Sequence, residues 1–273
     1  MWKVAAVLAL VIVAILVGWF FIGTEAPYED VGAPAGPQEE LVVPPRPLEP
    51  DTAADAAGVE AAADETAALA QDPGWVLPAL NQSDPFVREQ LTLLGVPDNL
   101  IGQEELVRRA AVVLENAARG EYPRRQLASF VPKGQFAVIE RDGRLFVDPA
   151  NFARYDGLVG TLDAVDPRQF ARLLTFLMPL VDEAIAELGA AGNAKSLLAA
   201  GMVRVLDVPI LTGEIEVVRP NVFYVYADPD LEQRGALQKL LLRSGPANVQ
   251  RVQAWVRRFA AVMGIPLGAP GLS

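Results

Sequence analysis

The hydrophobic pattern of the chain passes through three regimes. From Val4 to Ile22 no residue carries a charge, and Val, Leu, Ile and Ala dominate. A helix needs about 20 apolar residues to cross about 30 Å of hydrocarbon, and it satisfies its own backbone groups there. The run closes on Trp19, Phe20 and Phe21, with Trp2 at its other end, where aromatic side chains meet headgroups. Residues 1–23 therefore predict a transmembrane signal anchor. A cleaved signal peptide has a shorter apolar core and small residues before its cleavage site, whereas bulky aromatics stand here. From 24 to 73 the apolar positions thin out into Pro, Ala and acid, as in Val43-Pro44-Pro45-Arg46-Pro47. Such a stretch buries too little surface to offset its ordering entropy and predicts a disordered tether. About 50 residues of flexible chain have an r.m.s. span of about 40 Å.

From residue 74 to 266 the helical period takes over, with 267–273 as a tail. Helices are predicted over Pro85–Leu94, stopped by Gly95, and Glu104–Ala118, stopped by Gly120. The second carries a stripe of Leu106, Ala110, Val113 and Ala117. Phe136–Ile139 and Leu145–Val147 flank Arg141-Asp142-Gly143, a hairpin signal. Further helices are predicted over Pro149–Leu162, Pro167–Leu188, Ala194–Val205, Pro229–Leu242 and Pro246–Met263. Phe170, Leu173, Leu174, Leu177, Val181, Ala184, Ile185 and Leu188 share one face of the Pro167 helix, which Pro179 should kink or divide. The last helix shows Val249, Val252, Val256, Phe259 and Met263 on one side, with Arg251, Arg257 and Arg258 on a solvated face. Glu214–Tyr226 has strand composition but is interrupted by Pro220. The fold class is thus mostly α, with one β-hairpin.

Composition changes this picture in two ways. The 273-residue chain has 34 acids and 23 bases, but Glu25–Asp72 alone holds twelve acids and one base, Arg46. Without those residues and Lys3, 22 acids face 21 bases, so the acidity belongs to the tether and the domain is nearly neutral. That argues against a nucleic-acid partner. The chain has no His and no Cys, which excludes a Ser-His-Asp triad, imidazole or thiolate metal sites, and disulfides. Lys3 before the apolar run and Glu25, Glu29 and Asp30 after it predict a cytoplasmic N-terminus and an outward domain.

The candidate chemistry is sparse. No phosphate-binding glycine loop, dinucleotide fingerprint or S-x-x-K pattern occurs, and no cofactor is expected. Asp84-Pro85, Asp148-Pro149, Asp166-Pro167 and Asp228-Pro229 each precede a helix, which reads as capping rather than catalysis. Asp228-x-Asp230-x-Glu232 lacks the turn glycine and ligand number of a calcium loop, and reads as a capped first turn instead of a metal site.

Three stretches carry a family resemblance: Gly143-Arg144-Leu145-Phe146-Val147-Asp148-Pro149-Ala150-Asn151-Phe152-Ala153-Arg154-Tyr155-Asp156, Tyr226-Ala227-Asp228-Pro229-Asp230-Leu231-Glu232, and Gln238–Asn248; Ser83–Arg88 adds a shorter one. Over Pro78–Met263 the chain resembles the bacterial domain of unknown function numbered 3014. The resemblance implies a single-pass inner-membrane protein with a variable linker and a mostly helical outer domain, and it implies no catalytic residue. The polar members of these stretches, Arg154, Tyr155, Asp156, Tyr226, Lys239, Arg243 and Asn248, form a candidate binding surface. The competing reading is that Arg–Asp pairs and Tyr hydroxyls fix helix packing. The expected role is a non-enzymatic binding or scaffold module in the periplasm. It would be held to the lipid bilayer by residues 1–23 and engage an envelope protein or polymer. The alternative is a carboxylate-dependent hydrolase acting on envelope glycan.

Overall fold

The structure, a computed structural model, describes residues 74–122 and 136–267. The anchor expected over 1–23, the tether over 24–73 and the tail beyond 267 lie outside the described residues. The described part is mostly helical, with one small antiparallel sheet. Among the described residues no helix is long and apolar enough to cross a membrane.

A 3-10 turn at Leu80–Gln82 leads into α1 (Asp84–Leu93), α2 (Asp98–Ile101) and α3 (Leu106–Arg119). Strands β1 (Val138–Arg141) and β2 (Arg144–Val147) form the expected hairpin. Its two-residue turn puts Asp142 at φ 52° and Gly143 at φ 72°, the left-handed conformation that Asp-Gly tolerates. A 3-10 turn at Pro149–Asn151 precedes α4 (Ala153–Ala164), so the helix expected from Pro149 starts late. α5 (Pro167–Glu187) and α6 (Ala194–Leu206) follow.

The 214–226 stretch resolves into β3 (Glu216–Val218) and β4 (Val225–Tyr226). Pro220 falls in the connection between them, where no ladder donor is needed. The sheet order is β1-β2-β3-β4, antiparallel throughout. The chain ends in α7 (Pro229–Glu232), α8 (Ala236–Arg243) and α9 (Pro246–Val262).

The core sits where α3, α5 and α6 pack together and α9 lies across α4, α5 and α6. Phe170, Trp255 and Phe259 form its aromatic centre, with Phe170–Phe259 centroids 4.7 Å and Trp255–Phe259 centroids 5.1 Å apart. Trp255 donates its indole N–H to the Val165 carbonyl at 2.9 Å, which satisfies the one polar atom of that buried ring. Gln253, also buried, donates to the carbonyls of Val205, Leu206 and Val208 and so closes the C-terminal end of α6. A second aromatic group, Trp75–Phe86–Phe176, fastens the first described residues onto α1 and α5.

Several sequence expectations need correction. α5 runs unbroken through Pro179. Proline inside a helix costs about 3 kcal/mol, but Leu177, Leu180 and Val181 around it are all buried. Each such side chain contributes about 1.5–3 kcal/mol, which outweighs the break. Leu188 caps the end of α5 and is exposed, so the apolar stripe stops at Ile185. On α3 the fully buried positions include Val107, Ala111 and Leu114, so the face is wider than the expected stripe and centred elsewhere. Arg251 is not simply solvated: it pairs with Asp163 at 2.7 Å and donates to Asn248 at 3.1 Å. The single helix expected over Pro229–Leu242 is two helices. Gly235 passes so near Gly120 that a Cβ would lie 2.7 Å from its carbonyl oxygen, and Leu237 donates its N–H to that oxygen at 3.2 Å. A backbone donor that a continuous helix would use internally is thereby spent on the end of α3.

Candidate functional site

The three stretches singled out in the sequence converge where α4, β4, α8 and α9 meet. The 148–156 stretch is a chain of fixed roles. Asp148 accepts from the Ala150 N–H at 2.8 Å and starts the 3-10 turn. Asn151 is buried. It accepts from the Ala137 N–H at 3.0 Å and donates to the Ala137 and Asp148 carbonyls, both at 2.7 Å. That clamp ties the entry to β1 onto the turn before α4. Arg154 donates to the Asn151 side-chain oxygen at 3.2 Å.

Phe152 fits against Gly245, the residue between α8 and α9. Gly245 has φ 87° and ψ 158°, a region essentially confined to glycine. A Cβ there would sit 2.4 Å from the Phe152 ring. The chain can therefore turn from α8 into α9 only with no side chain at that point.

Asn248 stands one turn into α9 and is buried. Its amide donates to Asp156 Oδ1 at 2.9 Å, to the Ser244 carbonyl at 3.0 Å and to the Phe152 carbonyl at 3.4 Å. Its oxygen accepts from Arg251 at 3.1 Å. One side chain thus links α4, the α8–α9 turn and α9.

Tyr155, Tyr226 and Arg243 form the other half. Both tyrosines are buried. Burial pushes the Tyr155 hydroxyl up to about 12, against the pull of the Arg243 and Arg154 guanidiniums. Burial also raises Tyr226, opposed by Arg243. Arg243 lies with its guanidinium carbon 5.9 Å from the Tyr226 ring centroid, within cation–π range. Burial lowers its pKa, while the two tyrosines and Glu232 hold it up. The Tyr226 hydroxyl donates to the Lys239 carbonyl at 3.4 Å. Glu232 accepts from the Tyr226 N–H at 2.9 Å and from the Lys239 ammonium at 2.7 Å, and Lys239 also reaches the Glu232 carbonyl at 2.9 Å.

All seven sequence-selected residues lie in this region. Tyr155, Tyr226 and Arg243 are adjacent, Asp156 meets Asn248, and Lys239 meets Tyr226 through its carbonyl. Arg154 is turned toward Asn151. The candidate set left out Asn151, Glu232, Arg251 and the Phe152–Gly245 contact. Asn151 and Glu232 stand inside the quoted stretches, and their signal was a polar residue beside large apolar ones with no local cap to make. Glu232, weighed as a metal ligand with Asp228 and Asp230, is committed to Lys239 and Tyr226. Asp228 accepts from the Asp230 N–H at 2.9 Å as a cap.

The arrangement defines a class: a mostly helical domain in which the three sequence-selected stretches meet in one polar, aromatic joint between helices. The chain belongs to the family described as "Protein of unknown function (DUF3014)", whose match covers residues 106–260, more than half of the chain. That match starts later than the Pro78 expected from the sequence. No curated protein and no solved structure matches the chain.

Proposed function

We propose that this protein is a membrane-anchored bacterial envelope protein whose domain is a non-enzymatic binding or scaffold module. Residues 1–23 hold it in the inner membrane with the N-terminus in the cytoplasm. The 24–73 tether lets the periplasmic domain reach an envelope protein or polymer. The charge-free run with Lys3 before it and acids after it supports the anchor and its direction. The near-neutral domain supports a partner other than nucleic acid.

One observation carries the non-enzymatic reading. The carboxylates at the convergence, Asp156 and Glu232, are each engaged by the scaffold: Asp156 by Asn248, Glu232 by Lys239 and the Tyr226 N–H. A glycosidase instead holds two carboxyl groups about 5–10 Å apart, one of them with a raised pKa, facing a substrate. The test is in-cell crosslinking of the tagged full-length protein, with mass spectrometry of what is captured, beside a tether-shortened form. The expected result is one stoichiometric partner that is lost when the tether is cut. Cleavage of envelope glycan by the purified protein, abolished in Asp156→Asn or Glu232→Gln, would overturn the reading.

A further inference from the structure

The first described residues, Gly74–Ala79, form a strap without regular secondary structure ahead of the 3-10 turn at Leu80. The Trp75 ring is half-buried and stands steeply against two others. Phe86 on α1 lies with centroids 5.8 Å apart and planes at 77°, and Phe176 on α5 at 5.2 Å and 72°. Phe86 and Phe176 are themselves 5.4 Å apart, so two helices supply one platform and the strap supplies its cover. Val76 and Leu77, next along the strap, are 85% and 39% exposed.

Upstream of Leu80, which is buried, that ring is the main hold on the strap. Among the described residues, Trp75, Val76, Leu77 and Pro78 make no hydrogen bond, through backbone or side chain. Trp255 in the core is the contrast: it is buried, and its indole N–H is bonded to the Val165 carbonyl. A segment whose backbone groups are left to water, and whose one anchor is only partly buried, sits at the low end of local stability. Two edge contacts and part of one ring's apolar area oppose the ordering entropy of the whole strap. Detachment breaks no hydrogen bond of Trp75–Pro78, and it uncovers two phenyl rings.

We propose that the Phe86–Phe176 platform is a docking site for a tryptophan-bearing segment of a protein partner, and that Trp75 is the intramolecular stand-in which the partner displaces. The occupant seen in the structure sets the chemistry: an aromatic side chain, carried on chain without regular structure, that meets both rings in edge geometry. Aromatic anchors set against apolar surface are where protein interfaces concentrate their binding. A sugar needs hydrogen-bonding groups beside the aromatic surface to fix it, and neither phenylalanine side chain has one. The inference deepens the binding-module reading and rests on it, choosing a protein over a polymer. The docked strap scales the partner's apparent affinity by the fraction of molecules whose platform is open, so release of the strap regulates binding.

The test uses the full-length protein in lipid nanodiscs, with fluorotryptophan in place of its tryptophans. Trp75→Phe and Trp255→Phe identify the fluorine signals of those two positions. The probe is a blocked peptide copying Gly74–Pro78. It should move the Trp75 signal toward that of solvent-exposed tryptophan and leave the Trp255 signal in place. The same peptide with alanine for its tryptophan should move neither. Trp75→Ala should bind the probe about tenfold more tightly than wild type, the factor expected if the strap is docked about nine times in ten. Adding Phe176→Leu, which keeps apolar bulk and removes the ring, should undo that gain. A Trp75 signal unmoved by millimolar peptide overturns the docking site, whether or not Trp75→Ala folds, and makes Trp75 a fixed packing residue. Equal affinity of wild type and a folded Trp75→Ala would overturn it too. In either case the binding-module reading, which crosslinking tests, would still stand.

Discussion

Gly245 shows how a single residue can govern the joint between two helices. Its φ of 87° and the 2.4 Å approach of a would-be Cβ to Phe152 act together. Gly245→Ala should cost about 2–6 kcal/mol, from backbone strain of about 1–3 and overpacking of about 1–3. Urea unfolding measures it, and adding Phe152→Leu should recover part of the overpacking share only. Tyr155 gives a pH signature. Its folded value of about 12 stands above the ordinary value of 10. The stabilisation is therefore complete below pH 10 and is lost as pH rises toward 12. Linkage makes this up to about 2–3 kcal/mol. Tyr155→Phe should flatten the fall in urea midpoint between pH 10 and 12; an unchanged slope would deny the hydroxyl this role. These residue-scale features were half legible. The quoted stretches held Phe152, Tyr155 and Gly245, but nothing in the order of residues said that position 152 would meet position 245.

At the scale of elements, the Asp-Pro reading held for three pairs in its local form. Asp148, Asp166 and Asp228 each accept from backbone N–H groups of the turn they open. Asp84 does something else: it accepts from the N–H groups of Glu105 and Leu106, at 2.6 and 2.8 Å, and so caps α3 rather than its own helix. Glu105 has φ 58°, a conformation held while Asp84 grips its N–H. Asp84→Ala should cost about 0.5–2 kcal/mol, the usual worth of a cap. Hydrogen exchange should quicken first at the start of α3; quickening confined to α1 would contradict the reach across. Helix starts and stops were readable because caps and stop glycines are local chemistry. The split at Gly235, the continuity through Pro179 and the aim of Asp84 were not, because each is decided by an element far away in sequence. The 214–226 stretch was ambiguous for a similar reason: Pro220 forbids a central ladder position, yet suits the connection it occupies between β3 and β4.

For the whole molecule, the division of charge and hydropathy does most of the explaining. The apolar run of 1–23, the acid-rich stretch of 24–73 and the near-neutral remainder differ in composition, and the proposed division of roles rests on that difference. The folded part agrees with the expected class, mostly helical with a hairpin, and extends it to a four-stranded sheet. The polar stretches chosen from the sequence as one surface meet as one joint. How they meet, through Asn248, Glu232 and Asn151, depends on contacts between residues as far apart as 96 positions. Residue spacing alone could not supply those contacts. The joint ties α4, β4, α8 and α9 together.

The account stands most directly on where the domain sits. The measurement is labelling of Val203→Cys in the full-length protein with a membrane-impermeant maleimide, in spheroplasts of a producing bacterium before and after lysis. The chain has no other cysteine, so the label reports one site. The account predicts full labelling before lysis and no increase after it. Labelling that appears only after lysis would place the domain in the cytoplasm and contradict it.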